Sequence, residues 1–336
     1  MASYTTPAPR LAGLVVALAG EVEHNADLAG HFGAQAMADI IRSTGIERRP
    51  VARTETVAGL GEQACRRLLE RLDWAPETIQ GIVVVTQTPD YPLPATACLL
   101  QQALGLSSST LALDINLGCS GYVYGLSVLI GLMRSAGLQR ALLVCGDMTT
   151  RMIADDDRGL HPLFGDAVAA TALESAGARM ALDLGTDGSG APYLISRTGG
   201  LKEPGLPRLS MDGVQVMAFS LKRVAPSVAQ VLEQAGLAID QVDAVVFHQA
   251  NAMMLKNLGR KIGAREDQLV VAVRDFGNTS SASIPLALCD WLNRPETPRP
   301  DRPLQVLMSG FGVGWSWATA LWTTPQPDVA ELLRQP

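Results

Sequence analysis

No apolar run in this 336-residue chain approaches the roughly 18 consecutive residues that a membrane-crossing helix needs. Positive charge is scarce: 27 Lys and Arg stand against 33 Asp and Glu, for a net charge of −6. That balance leaves no basic face for a phosphate backbone and argues against a nucleic-acid partner. Arg48-Arg49 and Arg66-Arg67 are isolated pairs that read as solvated surface. Cysteine is sparse and odd in number: Cys65, Cys98, Cys119, Cys145 and Cys289, with no C-x-x-C spacing. Neither a disulfide framework nor a zinc site is expected, and a reducing, cytoplasmic compartment is the simplest reading. The first nine residues lack the basic, apolar and cleavable succession of a secretory leader and read as a frayed polar start.

What the chain does have is apolar material, 47% of its residues, enough for a large core. Short strand-like runs alternate with helical stretches, which predicts an α/β fold with parallel strands. Residues 11–19, 81–86, 111–115, 141–145 and 167–173 read as strands; 56–72, 95–104 and 120–135 read as helices. Near residue 180 the pattern restarts. Strands are expected at 180–184, 244–247, 269–273, 304–308 and 315–322, and helices at 214–234, 252–262 and 284–291. Pro226 is a potential kink. Residues 186–207, rich in Gly and Pro, read as a long loop. The order suggests two duplicated halves, 1–178 and 179–336, each with a reactive candidate after a central strand, though no sequence repeat proves it.

Three segments concentrate side chains that can do chemistry: Gly118-Cys119-Ser120-Gly121, Phe247-His248-Gln249-Ala250-Asn251 and Phe276-Gly277-Asn278-Thr279-Ser280-Ser281. Each lies where an apolar run ends, and a rigid scaffold presents chemistry on loops at element ends. Cys119 is expected at a helix N-terminus, where the dipole and free N–H groups favour thiolate. Its flanking glycines permit a sharp turn and close substrate approach. The alternative is an inert buried thiol, the expected state of Cys98, Cys145 and Cys289 inside apolar runs. His248, one of four histidines, alternatively reads as a satisfied structural residue. Asn278 alternatively reads as a turn or cap residue. Gly310-Phe311-Gly312-Val313-Gly314 offers a backbone N–H to an oxyanion, or is only a hairpin.

In the order and spacing of these segments the chain resembles the β-ketoacyl-acyl carrier protein synthase III family of thiolase-like condensing enzymes, over nearly its whole length. Further matching stretches are Thr44-Gly45-Ile46-Glu47-Arg48-Arg49, Asp157-Arg158-Gly159, Phe164-Gly165-Asp166, Leu209-Ser210-Met211-Asp212-Gly213 and Ser281-Ala282-Ser283-Ile284-Pro285. The resemblance implies a five-layered αβαβα fold, normally a homodimer, with no metal or redox cofactor. It implies that Cys119 takes an acyl group from a coenzyme A or carrier-protein thioester, with backbone N–H groups of Cys119 and Val313 holding the oxyanion. His248 and Asn278 would then bind the carbonyl oxygen of a malonyl thioester and stabilise the enolate formed on decarboxylation. It further implies Arg158, Met211, Gly213, Asn251 and Leu93 as substrate-binding residues, and Gln249, Arg260 and Lys261 as carrier-protein contacts.

The chain departs from the family's common pattern. Ser43 and Met253 stand where the family often has arginines near the substrate mouth, and residues 31–41 offer no tryptophan to stack on adenine. Gly165-Asp166-Ala167-Val168-Ala169-Ala170 replaces a glycine-richer run, Val313 replaces a glycine, and Leu93 matches a position that often closes the partner subunit's acyl pocket. These departures point to a changed donor and a specialised biosynthetic paralogue. Competing readings are acyl transfer without carbon–carbon bond formation, non-decarboxylative condensation or thiolysis, and a non-catalytic partner subunit of another synthase.

Overall fold

The computed structural model describes residues 2–297 and 300–334. Its centre is a network of nine strands: β1 (Ala2–Leu18), β2 (Gly81–Val85), β3 (Leu111–Ile115), β4 (Arg140–Asp147), β5 (Ala167–Thr186), β6 (Ala244–Phe247), β7 (Leu304–Gly312), β8 (Ser316–Thr324) and β9 (Val329–Leu333). Hydrogen bonding runs in the order β6-β7-β8-β5-β4-β2-β3, and β1 pairs with both β5 and β9. Pairs β2/β3, β2/β4 and β6/β7 are parallel, while β5 is antiparallel to β1, β4 and β8. Residues 167–174 of β5 pair with β4 and residues 179–186 pair with β8, so one strand carries both wings.

Side chains alternate along the strands, and this sorts the core into layers. Val84, Leu142 and Val144 pack under α1 (Val57–Leu72) and α2 (Thr96–Ala103). Their neighbours Val83, Val85 and Leu143 join α3 (Gly121–Ala136). Beyond them, Val246, Val306 and Met308 face α6 (Ser283–Asn293) in the same central cluster. Val245, Phe247 and Leu307 turn outward to α4 (Gly213–Ala235) and α5 (Ala252–Ile262). Two helical layers outside, two sheets, and a helical layer between them make the five-layered αβαβα fold.

Several expectations are corrected. The N-terminus is no frayed tail: residues 2–8 pair antiparallel with 178–184, Tyr4 Oη lies 2.7 Å from Ser127 Oγ, and Trp322 Nε1–H donates to the Pro9 carbonyl at 3.2 Å. Met1 lies outside the described residues. Among the described residues, no strand pairs with the other side of β1 over residues 2–8, and an edge tolerates Pro7 and Pro9. Residues 269–273 form no strand. Leu269 makes one isolated bridge to Val245, and a helical turn follows at Val273–Phe276. Backbone bonds to β6 end at the Val270 N–H, which donates to the Val245 carbonyl at 3.0 Å; beyond it the Gln249 carboxamide takes the ladder's place, Nε2 donating to the Val270 carbonyl at 3.2 Å and Oε1 accepting from the Ala272 N–H at 2.9 Å. The stretch 186–207 is partly ordered into a 3-10 helix, Gly188–Tyr193, and a short strand, Leu194–Ser196, paired with Leu209–Met211. Helix α4 runs on through Pro226. Cys98 is exposed, on the face of α2 opposite its buried Thr96, Ala97 and Leu100.

Arg49 is no surface residue. It is 1% exposed, and its guanidinium donates to Asn25 Oδ1, the Phe164 carbonyl and Glu23. A buried charge with all three guanidinium nitrogens engaged ties three segments together, and removing one partner would leave the charge less compensated.

Candidate active site

Strand β3 delivers the chain to Gly118-Cys119, where the Gly121 N–H donates to the Gly118 carbonyl at 2.7 Å and α3 begins. The β7–β8 hairpin packs directly on this turn. A Cβ at Gly310 would stand 2.7 Å from the Cys119 carbonyl oxygen, and one at Gly312 would stand 2.8 Å from Cys119 Cβ and 3.1 Å from Sγ. Only glycine admits that approach. Cys119 is 7% exposed. Burial, and then the charge of Asp147, push its thiol up to about 12, against the backbone N–H groups of Cys119 and Val313 and the Ser280 side chain. The helix start therefore does not leave the resting sulfur as thiolate; burial outweighs it.

His248 ends β6, its backbone N–H donating to the Ser309 carbonyl at 2.8 Å. Its Nδ1 lies 2.6 Å from Ser283 Oγ at the start of α6, and the Phe311 ring meets it edge-on. Burial pushes its pKa down to about 3, with the Ser280 backbone working the other way, so the imidazole is neutral. Asn278 follows Gly277, whose φ of 63° suits glycine. The Asn278 N–H donates to the Leu163 carbonyl at 2.9 Å, and its own carbonyl accepts from the Gly165 N–H at 3.0 Å. Its side-chain Oδ1 accepts from the Ser280 N–H at 3.0 Å.

Cys119, His248 and Asn278 line one cavity of about 150 Å3, together with Met211, Gly213 and Asn251. Asn251 also caps α5, its Oδ1 accepting from the Met254 N–H at 2.8 Å. Cys119 and Val313 line a second chamber of about 330 Å3, so the thiol stands where two spaces meet. The other expected residues lie apart. Leu93 is 81% exposed at a loop tip, Arg158 is exposed on another loop, and neither lines these cavities. Arg260 and Lys261 are exposed on the last turn of α5, Lys261 Nζ donating to the Leu221 carbonyl at 2.5 Å. Gln249 cannot be a partner contact: it is 1% exposed and its carboxamide is spent on Phe247, Val270 and Ala272.

Sequence reasoning missed Asp147. Buried at the end of β4, it accepts from the Gln87 N–H at 2.6 Å, the Ser281 hydroxyl at 2.7 Å and the Ser281 N–H at 3.2 Å. It thereby pins the end of β2 to the turn that carries Asn278. Its only sequence signal is a carboxylate closing an apolar run. Among the described residues no group of three or more His, Cys, Asp or Glu is placed to hold a metal ion, and no helix is long and apolar enough to cross a membrane.

A thiol facing an imidazole and a carboxamide across one cavity, all held at element ends of an αβαβα core, defines the class of thiolase-like condensing enzymes. Comparison with known proteins narrows the class. Residues 113–188 match the family model described as 3-oxoacyl-acyl-carrier-protein (ACP) synthase III, and residues 232–324 match that of its C-terminal part. A β-ketoacyl-acyl-carrier-protein synthase III of Clostridium perfringens is 32% identical over 289 residues, 83% of this chain and 88% of its own length. The crystal structure of a 3-oxoacyl-acyl-carrier-protein synthase from Burkholderia xenovorans superposes with a TM-score of 0.93 at 37% identity, covering 99% of both chains. The priming β-ketosynthase of a polyketide biosynthetic pathway gives 0.85 at 29% identity, covering 96% of this chain and 98% of its own. The chain belongs to the β-ketoacyl-acyl-carrier-protein synthase III family, and it is an acyl-transferring condensing enzyme.

Proposed function

We propose that Cys119, His248 and Asn278 carry out acyl transfer followed by decarboxylative Claisen condensation. The observation that carries this reading is their convergence on one cavity, with the neutral His248 and the outward amide of Asn278 as donors. Cys119 Sγ attacks the carbonyl carbon of an acyl thioester. The new S–C bond forms, the donor's C–S bond breaks, and the thiol proton leaves on the departing thiol. Backbone N–H groups of Cys119 and Val313 hold the oxyanion. With the Ser283 hydroxyl donating to Nδ1 of His248, the ring proton sits on Nε2. Nε2–H and the Asn278 NH2 then donate to the carbonyl oxygen of a malonyl thioester and bear the enolate charge as carbon dioxide leaves. The enolate carbon attacks the acyl-cysteine, Cys119 departs with its electron pair and is reprotonated, and a β-ketoacyl thioester is released. The reaction draws its carbanion from decarboxylation and needs no resident cofactor.

Met211, Gly213 and Asn251 line the passage for the thioester arm, and Arg158 stands outside it. Arg260 and Lys261 suit an acidic carrier protein. The open edge of β3, with exposed Tyr91 and Leu93 nearby in sequence, suits a homodimer in which a second copy covers that edge. Five unpaired cysteines accord with a cytoplasmic setting, in fatty-acid or specialised-metabolite biosynthesis. Acyl transfer to an alcohol or amine would need His248 as a base, yet its pKa is depressed and no carboxylate orients it. Thiolysis would need a second cysteine, and among the described residues Cys119 is the only one lining the cavity. A non-catalytic subunit would have no use for donors converging on a thiol.

The test separates the two steps. Cys119→Ala should abolish mass gain from acyl-coenzyme A thioesters. His248→Ala and Asn278→Ala should still acylate and fail to condense; normal ketoacyl product from either would refute their roles.

A further inference from the structure

From the hairpin packed on Cys119 we infer that the Ser316 hydroxyl, braced by the Ser120 hydroxyl, is the positioning group that aims the Val313 N–H at the oxyanion. The inference rests on the reading of Cys119 as nucleophile with Val313 as a donor beside it. Strands β7 and β8 stop pairing at Gly312 and Ser316, so Val313, Gly314 and Trp315 alone close the hairpin. The turn is not relaxed. Gly314 has a φ of 69° and Trp315 a φ of 47°, and a bulky residue in that left-handed region is strained. Strained backbone keeps its shape only where its surroundings hold it.

Two sets of contacts hold this turn. On one side the Trp315 indole is stacked between Tyr193 and Phe219, with ring centres 5.5 and 4.6 Å away, and the Trp315 carbonyl accepts from the Asp187 N–H at 3.1 Å. On the side of the nucleophile the Val313 carbonyl accepts from the Ser316 N–H and, at 2.9 Å, from the Ser316 hydroxyl. Ser316 Oγ also lies 2.7 Å from Ser120 Oγ, and both serines are buried. A hydroxyl has a single hydrogen to donate. Ser316 gives its hydrogen to Val313, so Ser120 donates to Ser316. The bonds therefore run from the residue after the nucleophile to the Val313 carbonyl. Val313 stands between two glycines, which restrain the adjoining peptide planes least. Its N–H side is fixed by the Gly312–Ser316 pairing and its carbonyl side by Ser316, which sets the direction of the N–H beside Cys119 Sγ. Neither serine lines either cavity, so both act through Val313.

The experiment compares two rates at Cys119: acylation by the fastest of acetyl-, butyryl- and octanoyl-coenzyme A, followed by intact mass, and alkylation by iodoacetamide, followed at the Cys119 peptide. Acylation passes through an oxyanion. Alkylation displaces iodide at a saturated carbon and forms none. The ratio of the two rates therefore reads the oxyanion donor, whereas a loosened fold or a changed thiol moves both rates together. Threonine and valine have nearly the same shape, so Ser316→Thr and Ser316→Val differ chiefly in the hydroxyl. Ser316→Val should lower the acylation-to-alkylation ratio at least about tenfold, less than the roughly 10²–10³ that follows outright loss of an oxyanion donor, and Ser316→Thr should bring it back to within about threefold of wild type. Ser120→Ala, which adds no bulk, should lower the ratio at least about threefold alone, and by less than about twofold further when added to Ser316→Ala. Equal ratios in Ser316→Thr and Ser316→Val, or a wild-type ratio in Ser120→Ala, overturn the inference while leaving Cys119 as nucleophile. No mass gain from any of the three donors, or a gain that survives Cys119→Ala, overturns the nucleophile assignment and this inference with it.

Discussion

The side-chain oxygen of Asn278 accepts the backbone N–H of Ser280 at 3.0 Å, so the amide meets a substrate only as a donor. On the proposed function, a turn residue would thereby supply half of a carbonyl-binding site without any charge being buried. Asn278→Asp keeps the shape but aims a carboxylate at the developing enolate. Acylation of Cys119 should persist, while carbon dioxide release from malonyl thioester should fall by at least about 10²-fold, the usual cost of losing one such donor. Release at the wild-type rate would remove Asn278 from the decarboxylation step.

His248 is neutral because it is buried, and its folded pKa of about 3 lies below the ordinary histidine value of 6.5. As the pH falls below about 6.5 the unfolded chain gains a proton that the folded chain refuses, so this group's contribution turns against folding. The maximal slope is about 1.4 kcal/mol per pH unit, down toward the folded pKa. Asp166, raised to about 6 by burial, acts in the opposite direction, so the comparison must be with His248→Ala. The wild-type stability advantage over that variant, read from urea midpoints at pH 7.5 and pH 5, should shrink in acid. An advantage independent of pH would mean that the imidazole titrates in the folded enzyme.

The buried charge of Asp147 is the second cause of the raised Cys119 pKa, after burial itself. Asp147→Asn should therefore raise the iodoacetamide reactivity of Cys119 at pH 8. It should also cost about 1–3 kcal/mol of stability, because the Gln87 and Ser281 donors lose a charged acceptor. A folded variant with unchanged or slower alkylation would contradict the electrostatic account.

Gly312→Ala would set a methyl 2.8 Å from Cys119 Cβ and 3.1 Å from Sγ. The neighbour is not a flexible side-chain end, so the loop or the thiol must shift. Acylation should fall by about 10²-fold, the cost of a small misplacement at a reacting centre, with circular dichroism unchanged and a stability loss of about 1–3 kcal/mol. Full acylation activity would show that the hairpin yields freely.

The strand ends that carry Cys119 and His248 were legible because each closes an apolar run against a glycine or polar break, and Asn278 was legible from its Gly-Asn-Thr-Ser context. Three things were hidden for physical reasons. Pro7 and Pro9 read as strand breakers, yet an edge without a second partner accommodates them. Residues 269–273 have strand composition, but after the Val270 N–H bond to the Val245 carbonyl their partner is a side chain, Gln249, which period-two reasoning does not see. Asp147 has no spacing signature, since its donors come from residues 60 or more positions away.

The length of β1 and β5 bears on how the enzyme turns over. Both strands run through the two wings of the sheet, β1 with irregularities between Ala8 and Gly13, and this shared pairing opposes a hinge between the halves. On the proposed function, the thioester arm would reach Cys119 through the cavity lined by His248 and Asn278 and leave the same way. Met211, Met217, Met253 and Met254 line the cavity that reaches Cys119, so on the proposed function their side chains, rather than a movement of the two halves, would set the width of the passage.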